Sequence, residues 1–217
     1  MEGFLQELIE YNTNGVKKMQ EGLLEGAESY FTLGLRLLQR NAASIQTFVP
    51  PFTYSQDGLS VPVLPNKAIA QDSDFVALFD RALVLSGNEL SDSCIEQKLT
   101  AYSGFFMYNF ALLTHIRGLP EGNAKRLSQA LHMYTLAWQA LANTGEANPH
   151  VELAVLACIS NMAHIHRYFH RMSEVNSCGR WIWERLQQAN IPAEERSLLM
   201  SNAFFYEQKE SFAAFMA

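Results

Sequence analysis

The sequence lacks the features that mark nucleic-acid-binding and membrane-spanning proteins. Its 16 Lys and Arg residues are outnumbered by 22 Asp and Glu residues, which gives a net charge of −6. Binding to a phosphate backbone normally requires a basic face, so we expect no nucleic-acid partner. No apolar run approaches the length of about 18 residues that a membrane-spanning helix requires, so we expect no membrane insertion.

Paired cysteines are also missing. The three cysteines, Cys94, Cys158 and Cys178, are odd in number and contain no C-x-x-C pair. Disulfide frameworks and zinc sites usually contain such pairs. The first residues, MEGFLQELIEYNTNG, lack the basic region of a signal peptide. We therefore expect a soluble intracellular protein, cytoplasmic or nuclear, in a reducing compartment.

Motifs for catalysis and cofactor binding are absent as well. The sequence contains no G-x-S-x-G element and no glycine-rich phosphate loop, which predicts a non-catalytic protein without a cofactor. One alternative remains, because His164, His166 and His170 lie close together in NMAHIHRYFHRM. His166 and His170 share a helix face at a spacing that can bind zinc. A metal-dependent enzyme using these three histidines is the alternative to the non-catalytic interpretation.

Helical periodicity dominates what is present. Apolar stripes predict two helices within residues 2–41 and five more after residue 91, which makes about seven. Proline and glycine breaks delimit the later helices. Their predicted ranges are 92–117, 124–142, 149–170, 173–189 and 193–214.

The segment near residues 45–86 differs in character. Its first part, IQTFVPPFTYSQDGLSVPVLPNK, holds four prolines and a Ser-Gln-Asp-Gly turn signal between runs rich in Val, Thr, Phe and Tyr. This composition predicts a small β-hairpin or three-strand insertion. Residues 75–85 satisfy both helical and alternating spacing, so either structure is open there, with strand slightly favoured.

Small and aromatic residues recur at equal intervals in two helical pairs. The first set is Gly15, Gly22, Ala27, Phe31 and Gly34, and the second is Ala111, Gly118, Ala130, Tyr134 and Ala137. The interval from the first small residue to the glycine is seven residues in both sets, and the last two intervals are also identical. The second set has seven extra residues between its glycine and the next small residue, which predicts a loop, LPEGNAK.

This pattern resembles the tetratricopeptide repeat (TPR), a pair of antiparallel helices called A and B. The resemblance implies close helix approaches at Gly15 and Gly34 and a turn at Gly22. It implies a mainly α fold, a TPR-like solenoid with a small β insertion, as a single domain over residues 1–217. Its parts are repeat 1 at about 8–41, an insertion at about 44–90, repeat 2 at about 104–142, a degenerate repeat 3 at about 150–189 and a capping helix at about 193–214.

A third copy begins like the second, since Asn161-Met162-Ala163 parallels Asn109-Phe110-Ala111. Its later positions depart from the pattern, with Val175, Gly179 and Ile182 in place of small, aromatic and small residues. In this register His166 replaces an aromatic residue of helix A and His170 replaces the turn glycine. This is the structural alternative to a metal site.

The resemblance also implies a groove that binds a partner segment along the helix A face. Its expected lining is Asn12, Met19, Phe105, Tyr108, Asn109, His115, Asn161, His164 and Arg167. Asn12 and Val16 stand where some relatives carry clamp lysines, which argues against binding of a chaperone's acidic tail. The asparagines could instead pair with a ligand's backbone amides.

The expected function is therefore a protein–protein interaction module, an adaptor or a subunit of a larger assembly, that binds a protein or peptide. A purely structural protein that self-associates as a homo-oligomer is a further alternative. A second open question is whether the groove is filled by the chain's own insertion, for which residues 47–65 have the right character.

Overall fold

The structure is a computed structural model that describes residues 2–41, 60–63, 78–84, 95–144, 148–200 and 203. Its elements are α1 (Glu2–Gln20), α2 (Leu24–Asn41), β1 (Ser60–Pro62), β2 (Arg81–Leu83), α3 (Ile95–Gly118), α4 (Ala124–Ala142), α5 (Pro149–Tyr168) and α6 (Met172–Leu186). Residues 193–200 are helical as well. The prediction of a mainly helical chain is confirmed. Within the described ranges, no helix combines the length and apolarity needed to cross a membrane.

The helices form antiparallel pairs that follow the predicted periodicity. In the first pair, Gly15 of α1 lies against Phe31 of α2, whereas the later Lys18 lies against the earlier Gly26. In the second pair, the later Leu141 of α4 lies against the earlier Gly104 of α3, and the earlier Leu127 lies against the later Gly118. Helix α4 occupies the predicted range 124–142 because Asn123 caps it, its side chain accepting a hydrogen bond from the Arg126 amide at 3.1 Å.

Each pair is joined by a turn that contains one residue in the left-handed region. These residues are Gly22 (φ 74°), Gly122 (φ 57°) and His170 (φ 56°). The next amide in each case donates to a carbonyl five residues earlier, at 2.9 to 3.0 Å, which is the Schellman arrangement that ends many helices. The predicted turn at Gly22 and the assignment of His170 to the turn position agree with this geometry.

In the second pair, the residue in the left-handed region lies within the predicted loop LPEGNAK. Gly118 is the last residue of α3, and the residue with positive φ is Gly122. The predicted loop is also shorter than expected, because α4 already begins at Ala124. Relative to the first pair, two of the seven extra residues lengthen α3, two lengthen the turn and three lengthen α4.

Two of the glycines permit close helix contacts, in agreement with their predicted role. A Cβ atom on Gly15 would lie 2.8 Å from the buried ring of Phe31, closer than carbon atoms normally approach. A Cβ atom on Gly34 would overlap the ring of Phe106. Gly34 therefore permits the approach of α2 to α3, which belongs to the next pair, and not an approach within its own pair.

The two strands pair with each other in antiparallel orientation, with Ser60 opposite Leu83 and Pro62 opposite Arg81. The Arg81 side chain reinforces the pairing, because its Nε donates to the Ser60 hydroxyl at 2.8 Å. Strand β2 lies within the range 75–85 that was open between helix and strand, so residues 81–83 are strand. The predicted turn at residues 55–58 lies outside the described residues.

The chain divides into two compact units, Met1–Pro65 with Asp80–Glu146 and Asn66–Phe79 with Ala147–Ala217. The first contains α1 to α4 and both strands. In the second, α5 and α6 pack through the buried residues Ala163 and Val175, with Met172 and Cys178 beside them. Helical residues 193–200 coincide with the start of the predicted capping helix, whose part beyond residue 203 lies outside the described residues.

Candidate functional site: asparagines that bind an extended segment

A side chain of α3 binds the backbone of β2 in the first unit. The Leu83 amide donates to Oδ1 of Asn109 at 2.8 Å, and Nδ2 of Asn109 donates to the Leu83 carbonyl at 2.7 Å. Asn109 is fully buried. Its carboxamide therefore supplies to one residue both the acceptor and the donor that a neighbouring β-strand would supply.

Helix α1 adds a second asparagine to the same site. Nδ2 of Asn12 donates to the Leu83 carbonyl at 3.2 Å, and Nδ2 of Asn109 also donates to Oδ1 of Asn12 at 2.8 Å. Asn12 is fully buried too. Since an unpaired buried amide costs about 1–3 kcal/mol, this mutual pairing allows both asparagines to lie in an apolar interior.

A tyrosine of α3 binds the same strand two residues before Leu83. The hydroxyl of Tyr108 donates to the Arg81 carbonyl at 2.9 Å. Residues 81 and 83 present their backbone groups to the same edge of an extended chain, because alternate residues share an orientation. The opposite edge of β2 faces β1, where the Val63 amide donates to the Asp80 carbonyl at 3.0 Å. Side chains of α1 and α3 thus make the hydrogen bonds that a third strand would make along this edge of β2.

The second unit contains the same contact once more. The Phe79 amide donates to Oδ1 of Asn161 at 2.9 Å, and Nδ2 of Asn161 donates to the Phe79 carbonyl at 3.1 Å. Asn161 precedes Ala163 on α5 as Asn109 precedes Ala111 on α3. The parallel between the two sequence copies therefore corresponds to an identical chemical contact in each unit.

This arrangement binds polypeptide through its backbone and not through its side chains. The carboxamides and the tyrosine hydroxyl meet only amide and carbonyl groups, so any residue other than proline satisfies the asparagine contacts. The hydrogen bonds from the asparagine carboxamides to Leu83 involve no ionised group, so we expect them to depend little on salt. The site is suited to holding an extended segment.

The remaining groove residues are buried or half-buried. Met19, Phe105 and His115 are buried, and Tyr134 lies 5.9 Å from His115 between ring centroids. His164 and Arg167 are half-buried. Binding of a partner segment along these positions stays a prediction, with some of them buried and others half-buried.

The structure answers the question of what occupies the asparagine site. In the first unit, Asn12 and Asn109 hold Leu83 of the chain's own insertion. In the second unit, Asn161 holds Phe79, and both Leu83 and Phe79 are buried. The residues considered for that role were 47–65. Of these, β1 pairs with β2 instead, and residues 47–59 lie outside the described residues. From the sequence, occupation of the groove by residues 47–65 was an open question, whereas the residues that the asparagines contact are Phe79 and Leu83.

The histidine cluster does not form a metal centre in the described part of the chain, where no three potential ligands converge. His170 lies in the exposed turn after α5. Burial lowers the pKa of His164 to about 4 and also lowers the pKa of His166, whose Nδ1 is buried without a hydrogen-bond partner among the described residues. Both rings are therefore neutral near pH 7.

The described cysteines are not activated as nucleophiles either. Burial raises the pKa of Cys158, which is fully buried, and raises the pKa of Cys178 to about 11. Both thiols stay protonated at neutral pH, whereas a nucleophilic cysteine requires a lowered pKa. Cys94 lies outside the described residues.

Comparison with known proteins identifies no family for this chain. No protein-family model matches the sequence, and no curated protein and no solved structure gives a significant match.

Proposed function

We propose that the chain is a non-catalytic protein-interaction module, an adaptor or a subunit of a larger assembly, that holds an extended polypeptide segment by its backbone. The observation that carries the proposal is the two-bond contact between Asn109 and Leu83, which Asn161 repeats at Phe79 in the second unit. Each unit thus contains two buried hydrogen bonds of this kind, whose chemistry is recognition of extended backbone.

We further infer that the architecture is a TPR-like solenoid interrupted by a β-hairpin insertion. Support comes from the small–aromatic contact of Gly15 with Phe31. In the second pair, the ring of Tyr134 contacts Tyr108 and His115, which flank Ala111 on α3, so the same kind of contact recurs there. The left-handed turn after the first helix of each pair is a third common feature.

In this proposal the segment at 79–83 is a tethered ligand. A covalently linked segment has an effective concentration of the order of mM, so a partner strand must compete with it or act after it is withdrawn. Because backbone contacts select little among side chains, the site would accept an extended segment of another protein, or the same segment of a second copy of this chain. The second case corresponds to the self-associating alternative.

The test separates the segment from the site. Leu83→Pro removes the amide that Asn109 accepts from and leaves the asparagines unchanged. A synthetic peptide covering residues 78–84 is then added to the variant, and binding is followed by fluorescence anisotropy and helical content by circular dichroism. The control peptide carries an N-methyl group at the position of Leu83, which removes only that donor.

We expect the variant to bind the peptide with saturation, or to regain helical content when the peptide is added, and the N-methyl peptide to do neither. Equal binding of both peptides would show that backbone recognition is not the basis of the contact. Absence of both binding and recovery would show that the segment is an inseparable part of the fold, and the proposed function would then be abandoned.

A further inference from the structure

A groove of about 610 Å³ lies in the first unit, between α3 and α4 with one contribution from α2. Three cationic side chains, Arg117, Lys125 and Arg126, line the end near the α3–α4 turn. Phe110 and Met133 line it farther from that turn. The volume falls within the range of about 300–1,000 Å³ that is usual for ligand-binding clefts.

The charge of this groove is opposite to that of the whole chain. Among its lining residues the three cations face a single carboxylate, that of Glu28, whereas the chain as a whole carries −6. Arg117 pairs with Glu28, and Arg126 lies 3.4 Å from Glu121. Both glutamates are about half exposed, whereas the Arg117 side chain is only 17% exposed. Solvent weakens ion pairs at half-exposed carboxylates, so an incoming carboxylate can share the two arginines with the glutamates.

Lys125 is the most accessible of the cations. Its side chain is exposed and has no ion-pair partner among the described residues. It lies in the first turn of α4, which holds no acidic residue. A helix dipole disfavours positive charge at that end, so an anion brought by a partner would relieve the unfavourable interaction.

The apolar end of the groove is rigid. Phe110 stacks on Phe31 with 6.2 Å between ring centroids and 29° between ring planes, which fixes its position against α2. Met133 of α4 lines the same groove. Its flexible thioether side chain adapts well to apolar groups of different shape.

This groove is separate from the asparagine site. Residues of a helix are spaced by about 100°, so Phe110 and Arg117 lie on a different face of α3 from Asn109 and Leu112. The positions that the TPR resemblance assigns to a partner groove are on the buried side. The groove therefore offers a contact surface that remains open while the segment 79–83 occupies its own site.

We propose that this groove binds an acidic segment of a partner protein, with carboxylates on Lys125, Arg126 and Arg117 and one bulky apolar side chain against Phe110 and Met133. Arg117 follows Phe110 by seven positions, which is about 10 Å along the helix, a distance that an extended peptide covers in about three residues. The expected ligand therefore has an acidic pair and an apolar residue about three positions apart.

The test uses the full chain and a short fluorescein-labelled peptide in which two adjacent glutamates precede a phenylalanine by about three residues. Binding is measured by fluorescence anisotropy, with glutamine replacing glutamate or serine replacing phenylalanine in two control peptides. Lys125→Glu/Arg126→Glu reverses the charge of the groove. Lys17→Glu/Arg40→Glu makes the same change in net charge at exposed sites outside it, and Lys125→Gln/Arg126→Gln removes the cations without reversing them.

We expect saturable binding that weakens at least about tenfold in both groove variants and in both control peptides, and that is unchanged in the Lys17/Arg40 variant. Equal weakening in the groove and control variants would show a non-specific charge effect and overturn the proposal. So would the absence of saturable binding below about 1 mM. Tighter binding of a single-stranded RNA, or full displacement of the peptide by inorganic phosphate, would assign the groove to another anion.

Discussion

Asn109 binds Leu83 at both of its backbone groups, with Oδ1 2.8 Å from the amide nitrogen and Nδ2 2.7 Å from the carbonyl oxygen. A shift of the segment by one residue would turn these groups toward the opposite edge and expose the buried Leu83 side chain. The carboxamide therefore fixes the register of β2 as well as its position.

Replacing this amide by a carboxylate tests the contact directly. Asn109→Asp removes the donor and places a negative charge beside the Leu83 carbonyl, so we expect a loss of about 2–4 kcal/mol in the free energy of unfolding. Urea unfolding followed by circular dichroism measures it. Asn176→Asp, on the exposed face of α6, should change stability by less than about 0.5 kcal/mol. Similar losses of unfolding free energy in both variants would mean that the side-chain amide of Asn109 makes no specific contribution to stability.

Two glycine substitutions separate helix propensity from close packing. Gly15→Ala places a Cβ atom 2.8 Å from the Phe31 ring, and we expect a loss of about 1–3 kcal/mol of unfolding free energy. At Gly26 the nearest atom to an added Cβ is 3.4 Å away, on the flexible side chain of Lys18. Gly26→Ala should therefore stabilise by about 0.5–1 kcal/mol, as expected for alanine in a helix. Stabilisation in both variants would contradict the close approach of α1 and α2.

The turn after α5 predicts a substitution that increases stability. His170 has φ 56°, a conformation that costs a residue with a Cβ atom about 1 kcal/mol. His170→Gly should therefore raise the unfolding free energy by up to about 1 kcal/mol in thermal or urea unfolding. His132 is exposed within α4, and His132→Gly should lower it by about 1 kcal/mol. A destabilising His170→Gly would show that the imidazole makes a compensating contact.

Stability should depend on pH through His150. Burial lowers the pKa of His150 from 6.5 to about 4, so between these values the unfolded state binds a proton that the folded state does not. The contribution of neutral His150 to the free energy of unfolding is complete above about pH 6.5. It falls by about 3 kcal/mol as the pH drops to about 4. His150→Gln should remove this part of the pH dependence of urea unfolding. Identical pH profiles for the wild type and this variant would contradict the burial of a neutral imidazole.

The helices could be predicted well from the sequence because their signals are local. Helix α4 begins and ends where its pattern indicated, since the cap residue Asn123 directly precedes its apolar stripe. The turn of the second pair was predicted as the loop LPEGNAK, which contains Gly122, the residue with positive φ. Gly118 and Gly122 both fit a helix end, and only the hydrogen bonds of the folded chain distinguish them.

The binding site could be predicted only in part. Asn12, Asn109 and Asn161 were identified from their places in the repeat, and their preference for backbone groups follows from carboxamide chemistry. Their ligand was missed because it depends on distant contacts. Leu83 lies 26 residues from Asn109 and 71 residues from Asn12, and no local pattern distinguishes residues 79–83 from another apolar segment of mixed helical and strand spacing.

Amide hydrogen exchange at Leu83, measured by NMR in the wild type and in Asn109→Ala, tests the central claim most directly. The Val63 amide serves as the internal reference, because it donates to the backbone carbonyl of Asp80 and not to an asparagine. The account predicts that exchange at Leu83 accelerates well beyond any change at Val63, since only Leu83 loses its acceptor. Equal acceleration at both amides, or none at Leu83, would contradict the claim that Asn109 holds the segment by its backbone.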